Sequence, residues 1–352
     1  MRVLIIGGTS FIGPYIVRSL VSAAHEVMVF HRGEHEPALP RSVRHVHSPS
    51  AAFPVLNFPS ELVCFKPDVV LHMVAMGERD ARAAVRAFEG VAHRLVVSSS
   101  GDVYRAYGVL LGSETTIAGR DLLDEKSALR NQLYPYRKMA AGAEDWVYHY
   151  DKILVERVVT ANPNLPATIL RLPAVYGPGD NNRRFFAHLK RMQDGRPAIL
   201  LDQDQARWRW SHGYVENVAT AIALAVTDDR ARGRTYNVGE EAVLTNAERV
   251  RLLAASAGWK GEVVALPRAW LPPHLRDAYN YSQDLAYDTR RLRQELGYQE
   301  VVSVDEGLRR TIAWLRAHPP AIDPAQYDYG AEDVGLAAAR AARAGRIPSS
   351  AW

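Results

Sequence analysis

The chain has 352 residues, of which 47% are hydrophobic, so it can bury one large core or two smaller ones and is not expected to be disordered. Its formal net charge of +4 comes from charges of both signs spread along the sequence, not from one basic block. This charge pattern does not indicate a nucleic-acid-binding protein.

The first strand and the glycines after it predict a dinucleotide site. The apolar run Val3–Ile6 is typical of a central parallel strand that is buried on both faces. Gly7 and Gly8 allow a tight turn, and Gly13 lets the next helix approach the strand and present its free N–H groups to a pyrophosphate. One position of the usual glycine fingerprint falls on Ser10, so an ordinary strand-to-helix turn is the alternative. The amphipathic run that follows favours the dinucleotide site.

The second strand, Glu26–Phe30, ends just before Arg32. A site that prefers NAD usually has an acidic residue about 20 positions beyond the glycines, and we find none there. Arg32 could instead bind a 2′-phosphate through charge-assisted hydrogen bonds. We therefore favour NADP over NAD, with a solvated loop arginine as the alternative.

Residues 34–59 are rich in Pro, Ser and His and predict irregular surface with one short strand at 43–46. His45 and His47 could bind a metal ion. We predict no metal site, because the sequence places no acidic or cysteine partner near them.

Cys64 is the only cysteine, which excludes an intramolecular disulfide and any multi-cysteine metal site. It lies in the apolar run 62–65, so we expect a buried, inert thiol. No apolar run reaches the length of a membrane span, and the chain starts directly with a strand, leaving no room for a signal peptide. We expect a cytoplasmic protein.

Strands and helices then alternate. A helix stop at Lys66 and Pro67 precedes a buried strand, the run 79–88 predicts a helix, and 94–100 predicts the next strand. A further strand at 167–172 follows a long helix. This βαβ spacing requires parallel pairing through right-handed crossovers, so we predict a Rossmann-type doubly wound sheet.

Two strand ends become polar or glycine-rich, at 98–104 and 172–179, where a ligand cleft opens in such sheets. For Ser98, Ser99 and Ser100, capping of a turn is the alternative role.

After Asp180 we predict a smaller α/β lobe. A basic amphipathic helix starts at Arg183, a strand follows at 198–201, and Arg207 and Arg209 alternate with tryptophans. Further elements are predicted at 215–227, 236–239, 246–258 and 304–318. We divide the chain into an NAD(P)-binding domain (1–180), a substrate lobe (181–322) that partly returns to the first domain, and an extension (323–352). The extension has a solvated helix at 336–344 and a Pro-Ser tail.

A tyrosine and a lysine four residues apart on one helix share a face, where the ammonium stabilises the phenolate and makes the tyrosine a usable acid/base. Tyr148 with Lys152 and Tyr134 with Lys138 have this spacing. Pro135 disfavours helical geometry at Tyr134, so we choose Tyr148 and Lys152. A surface helix pair is the alternative.

Taken in order, these motifs resemble the extended short-chain dehydrogenase/reductase family of NAD(P)-dependent sugar epimerases and dehydratases, over roughly residues 1 to 318. The resemblance implies Ser100 as the hydroxyl that binds the reacting oxygen, Tyr148 as acid/base, and Lys152 as the residue that holds the nicotinamide ribose. It also implies a homodimer. The glycine segment looks more like an atypical branch that includes chloroplast RNA-binding relatives.

The expected site is spread over several segments. Cofactor contacts are expected from Gly7, Thr9, Ser10, Phe11, Ile12, Gly13, Arg32, Ala75, Tyr148, Lys152 and Pro173. Substrate contacts are expected from Asp102, Arg183, Arg207 and Arg209.

Two features depart from the family. An insertion at 105–146 is expected to cover the cleft, and Trp210 stands where many nucleotide-sugar epimerases have an arginine for the diphosphate. Arg207 and Arg209 could bind a diphosphate, carboxylate or phosphate, or could stack on the tryptophans.

We predict an NADP- or NAD-dependent epimerase, dehydratase or reductase acting on a hydroxyl or carbonyl centre of a sugar-like small molecule. The alternative is a non-catalytic dinucleotide-binding protein that binds RNA or a protein partner.

Overall fold

A parallel β-sheet organises the fold in the computed structural model, which describes residues 1–48, 53–116, 119 and 121–344. The strands in these ranges are β1 (Arg2–Ile6), β2 (Glu26–His31), β3 (Arg44–His47), β4 (Val69–His72), β5 (Arg94–Ser100), β6 (Ala167–Leu172), β7 (Ala174–Tyr176), β8 (Ala198–Asp202), β9 (His212–Tyr214), β10 (Thr235–Asn237) and β11 (Glu262–Leu266). Seven of them form one sheet in the order β10-β6-β5-β4-β1-β2-β3, with every pair parallel. The other four form two small parallel pairs, β11 with β8 and β7 with β9. The predicted doubly wound Rossmann-type sheet is confirmed.

Helices cover both faces of the main sheet, and further helices pack against the two small strand pairs. They are α1 (Gly13–Ser22), α2 (Ser60–Cys64), α3 (Glu78–Phe88), α4 (Arg105–Leu110), α5 (Lys152–Thr160), α6 (Phe186–Gln193), α7 (Gln203–Arg207), α8 (Val215–Thr227), α9 (Asn246–Ala257), α10 (Arg290–Leu296), α11 (Val304–Ala317) and α12 (Tyr329–Arg343).

Alternation along β1 shows why the sheet needs both helical layers. Val3 and Ile5 belong to the core formed with α1 and α8, whereas Leu4 and Ile6 belong to the core formed with α3 and α5. All four side chains are fully buried. Since neither face of the strand can be exposed to water without losing apolar burial, an uninterrupted apolar run is required here.

Helix α12 packs against the small sheet formed by β8 and β11. Leu336 on α12 contacts the core around Leu200 and Val264, and Glu332 forms a buried ion pair of 2.7 Å with Arg191. The helix begins earlier than predicted because Asp328 caps its first turn. The Pro-Ser tail lies outside the described residues.

Two predictions about the order of elements and burial need correction. The strand predicted near Tyr236 as part of the smaller lobe is the edge strand β10 of the main sheet, and α8, the helix before it, packs on α1 in the core of that sheet. Cys64 is exposed, because Leu62 and Phe65 take the buried face of the short helix α2. Among the described residues, no helix combines the length and apolarity needed to cross a membrane.

Candidate active site

The glycine turn after β1 forms the floor of a cavity of about 430 Å³. Gly7 and Gly8 have φ angles of +94° and +89°, a region that strains residues with a Cβ. A Cβ on Gly13 would lie 2.3 Å from the backbone of Gly8, so only glycine lets α1 start this close to the turn. The next four predicted residues, Thr9, Ser10, Phe11 and Ile12, line the cavity.

Arg32 lines the same cavity and is held by two neighbours. Its guanidinium donates to Glu34 over 2.7 Å and lies 5.0 Å from the ring centre of Phe53. Glu34 also lines the cavity. Glu34 therefore supplies a carboxylate, two residues beyond Arg32, near where a site that prefers NAD usually has one. This residue was missed in the sequence.

Lys152 is buried where β4 and β5 end. Its ammonium donates to the carbonyl of Ala75 at 2.6 Å and to that of Ser98 at 3.0 Å. Burial lowers the pKa of this ammonium, and Asp102 and Asp80 act against that shift. One turn further along α5, Glu156 is buried and accepts from Ser99 at 2.6 Å and from Arg171 at 2.8 Å.

The helix expected to contain Tyr148 begins four residues later, so the prediction that Tyr148 and Lys152 share a helical face is wrong. Asp151 is the N-cap of α5 and accepts from the backbone N–H of Ile153 at 2.9 Å and of Tyr134 at 2.6 Å. Tyr148 lies in a preceding 3₁₀ turn (Trp146–His149), with its ring 4.5 Å from the guanidinium carbon of Arg137.

The phenol that meets Ser100 is that of Tyr150. Its hydroxyl donates to Asp102 Oδ2 over 2.7 Å, and the Ser100 hydroxyl lies close enough to lower the pKa of the phenol. The Lys152 ammonium lies 5.8 Å from the centre of its ring. Burial, followed by the charge of Asp102, raises the pKa of Tyr150 well above its usual value of 10.0. No spacing rule selects Tyr150 from the sequence, because residues two apart do not share a helical face.

Asp102 is the centre of a buried hydrogen-bond chain. The phenol of Tyr136 donates to its Oδ2 at 3.2 Å and is 2.8 Å from the phenol oxygen of Tyr107. Within the described part of the chain, Asp102 Oδ1 is buried and has no hydrogen-bond partner. Burial raises the pKa of the Asp102 carboxyl, because an ionised carboxylate here lacks both water and a full set of donors.

Tyr107 also lines a second cavity, of about 340 Å³, most of whose walls come from the segments at 184–188, 205–212 and 277–281. Its walls are rich in aromatic side chains and include Trp208, Trp210 and Tyr281, together with Arg184. Tyr107 and Tyr136 belong to the segment predicted as a cleft-covering insertion, and they lie against Asp102.

The three predicted substrate-binding arginines are held elsewhere. Arg183 lies over the ring of Trp314 at 4.3 Å, while Arg207 forms an exposed 2.6 Å ion pair with Asp204. Arg209 pairs with the buried Asp284 at 2.9 Å. Pro173, a predicted cofactor contact, is half-buried between β6 and β7.

Comparisons with known proteins identify the family of this chain. The profile of the NAD dependent epimerase/dehydratase family matches residues 3–239. Over 299 residues the chain is 28% identical to 2'-dehydrokanamycin reductase of Streptomyces kanamyceticus, which covers 82% of this chain and 76% of that protein. It is 25% identical over 343 residues to UDP-N-acetyl-alpha-D-glucosaminuronate decarboxylase of Bacillus cytotoxicus, covering 90% and 98%.

A solved structure has the same fold. UDP-glucuronic acid 4-epimerase from Bacillus cereus, in complex with UDP-glucuronic acid and NAD, matches with a TM-score of 0.64 and 16% identity, covering 90% of this chain and 99% of that one.

Proposed function

The chain belongs to the NAD dependent epimerase/dehydratase family of enzymes, and from this premise we propose that it is an NAD(P)-dependent oxidoreductase of a hydroxyl or carbonyl centre in a sugar-like small molecule. The observation that carries the proposal is that Tyr150 lies beside Ser100 with the Lys152 ammonium 5.8 Å from the centre of its ring, at the ends of β4 and β5. Ligands of doubly wound sheets bind at such strand ends.

The residues around the glycine turn fit a nicotinamide dinucleotide. The turn leaves room for a pyrophosphate beside the N-terminus of α1, and Arg32 and Glu34 stand where the adenosine ribose of such a cofactor would lie. Lys152 would hold the nicotinamide ribose. When bound, the nicotinamide supplies or accepts the hydride.

Tyr150 is the best placed proton donor, although the sequence favoured Tyr148. At neutral pH its raised pKa keeps the phenol protonated, so in the reducing direction it can donate to the carbonyl oxygen that Ser100 positions. The nearby Lys152 ammonium stabilises the phenolate that results. The role of Tyr148 stays a prediction, and the two tyrosines are separated by experiment below.

Asp102 is proposed to return the proton to Tyr150. Asp102 Oδ2 accepts from the phenol at 2.7 Å and burial raises the pKa of this carboxyl, so a proton that reaches Asp102 can pass directly to the phenolate once Tyr150 has given up its own. Tyr136 and Tyr107 extend the chain of hydroxyls to the aromatic cavity, where the proton can be replaced from solvent. Such a relay is needed in the reducing direction, in which Tyr150 loses a proton to the substrate.

The aromatic cavity is proposed to bind the substrate. Tryptophan and tyrosine faces suit the apolar faces of a sugar ring, and Arg184 adds one cationic group. Two proteins similar in sequence are named 2'-dehydrokanamycin reductase and UDP-N-acetyl-alpha-D-glucosaminuronate decarboxylase, which supports a sugar or sugar-like substrate. In this proposal Asp102 transfers a proton and does not bind the substrate. The substrate contacts predicted for Arg183, Arg207 and Arg209 stay predictions.

We favour NADP, because Arg32 can exchange its bond to Glu34 for one to a 2′-phosphate. The solved epimerase contains NAD, so NAD is the alternative. The homodimer and the cytoplasmic location also stay predictions.

The proposal is tested by identifying the nucleotide that the purified protein retains, by mass spectrometry, and by titrating NADH and NADPH. Reduction of 2'-dehydrokanamycin and conversion of UDP-glucuronic acid are then measured as probe reactions. We expect a bound nicotinamide nucleotide. Failure to bind either nucleotide, together with salt-dependent RNA binding, would instead support the non-catalytic alternative.

A further inference from the structure

Three histidines meet at the carboxyl ends of β2 and β3. The parallel register places His31 directly opposite His47, and His45 lies two residues earlier on β3, on the same face. The ring of His31 is 4.6 Å from that of His47 and 5.2 Å from that of His45, measured between centroids. This cluster takes no part in the proton transfer proposed above.

The loop that follows β2 adds a carboxylate to the cluster. Glu36 Oε1 lies 2.7 Å from His47 Nε2. One donor atom from each of His31, Glu36 and His47 lies within 4.8 Å of the other two. The premise behind the prediction of no metal site is therefore wrong, because an acidic partner for His47 is present in the folded chain.

The imidazole of His31 is only 5% exposed and makes two hydrogen bonds. Its Nδ1 accepts from the backbone N–H of Gly33 at 3.2 Å and its Nε2 pairs with His45, so binding an ion requires one of these bonds to be exchanged for a metal bond. The His45 ring offers a further nitrogen, 3.0 Å from Nε2 of His31.

We propose that His31, Glu36 and His47 bind one divalent transition-metal ion, with Zn²⁺ as the ion that the donor set fits best. Two imidazoles and one carboxylate form a recognised zinc ligand set, which leaves a fourth position for His45 or water. Tetrahedral zinc bonds of about 2.0–2.2 Å place neighbouring donor atoms roughly 3.3–3.5 Å apart. Glu36 Oε1 and His47 Nε2, which are 2.7 Å apart, must therefore separate, while donor pairs that are wider than this must close. His47 and Glu36 can do so, since their side chains are 52% and 59% exposed.

The position of the site defines what the ion does. His31 lines the cavity over the glycine turn, and the loop between His31 and Glu36 contains Arg32 and Glu34, which line it too. An ion bound by His31, Glu36 and His47 links this loop to the edge strand β3. Zn²⁺ therefore fixes the wall of the cavity where the adenosine end of a dinucleotide is proposed to lie.

The experiment uses the full chain and Zn²⁺ alone. After treatment with EDTA and desalting, the protein is titrated with Zn²⁺ against a chromophoric chelator, and stoichiometry is measured by native mass spectrometry. We expect one Zn²⁺ per chain, with affinity reduced at least about tenfold in both His47→Ala and Glu36→Gln. The matched control is His93→Ala, which removes an exposed histidine outside the cluster and should bind as the wild type does.

Co²⁺ provides a second measurement, because tetrahedral coordination gives an intense visible absorption that octahedral aqueous Co²⁺ lacks. The wild type should show this band and His47→Ala should not, while circular dichroism shows that both are folded. Absence of stoichiometric Zn²⁺ binding by the wild type, or equal binding by His47→Ala, would overturn the proposal. Since no cofactor is added, neither outcome bears on the proposed reaction.

Discussion

Replacing Tyr150 by Phe tests the proton transfer most directly. The substitution keeps the ring and removes only the hydroxyl that donates to Asp102 beside Ser100. A positioned general acid contributes about 10²–10⁴-fold to the rate, so we expect kcat to fall by about that factor. The ring of Tyr148 instead packs against Arg137, and its hydroxyl makes no hydrogen bond in the described part of the chain. Tyr148→Phe is therefore the matched control and should change the activation barrier by less than about 0.5 kcal/mol.

Stability must be separated from catalysis in this comparison. Without the phenol hydroxyl, Asp102 Oδ2 loses its 2.7 Å donor, a loss that costs about 1–3 kcal/mol of folding free energy. The 3.2 Å bond from Tyr136 remains. Both variants are therefore assayed well below their unfolding temperatures, and kcat and KM are measured separately on whichever probe the wild type turns over. If Tyr150→Phe keeps the wild-type kcat while Tyr148→Phe loses it, the acid/base is the tyrosine that the sequence favoured, and the structural reasoning is refuted.

Three further predictions follow from the contacts of Asp102, Arg32 and Cys64. Because burial raises the pKa of Asp102 in the folded state above its unfolded value of 3.8, the folded protein binds that proton more tightly and loses stability as the pH rises above about 4. Asp102→Asn should remove this loss, so its free energy of unfolding relative to wild type should increase from pH 4 to pH 8 in urea titrations; a constant difference would contradict a raised pKa. Arg32→Ala should weaken NADPH binding about tenfold and NADH binding much less, as measured by fluorescence titration; a larger loss for NADH would show that the ribose hydroxyls and Glu34 govern the site. The exposed thiol of Cys64 should react with Ellman's reagent in the native protein without denaturant, whereas a thiol that reacts only after unfolding would be buried as the sequence suggested.

Several parts of the fold and of the site follow from local sequence alone. The apolar run in β1, the three glycines after it and the apolar runs of β4, β5 and β6 each have a periodicity or a turn requirement that no distant residue changes. The spacing of Lys152 and Glu156 on α5 is of the same kind. These segments predict the doubly wound sheet and the ends at which its ligands bind.

The identity of the phenol beside Ser100 depends on tertiary contacts. Asp151 ends the 3₁₀ turn and starts α5 because it also accepts hydrogen bonds from Arg130 and from the backbone of Tyr134, which lie 21 and 17 residues away in the sequence. A tyrosine–lysine spacing of four residues has a fixed meaning only inside a helix, so moving the helix start exchanges Tyr148 for Tyr150.

The sequence by itself determined the strands β1, β2 and β4 to β6, their succession in βαβ units and the position of the glycine turn, since these depend on neighbours a few residues apart. Only the tertiary structure decided which side chains from different segments meet. The parallel register of β2 and β3 brings His31 to His47, and the folding of the inserted segment brings Tyr136 to Asp102. Such pairings depend on how strands and loops far apart in the sequence pack together, which no local pattern records.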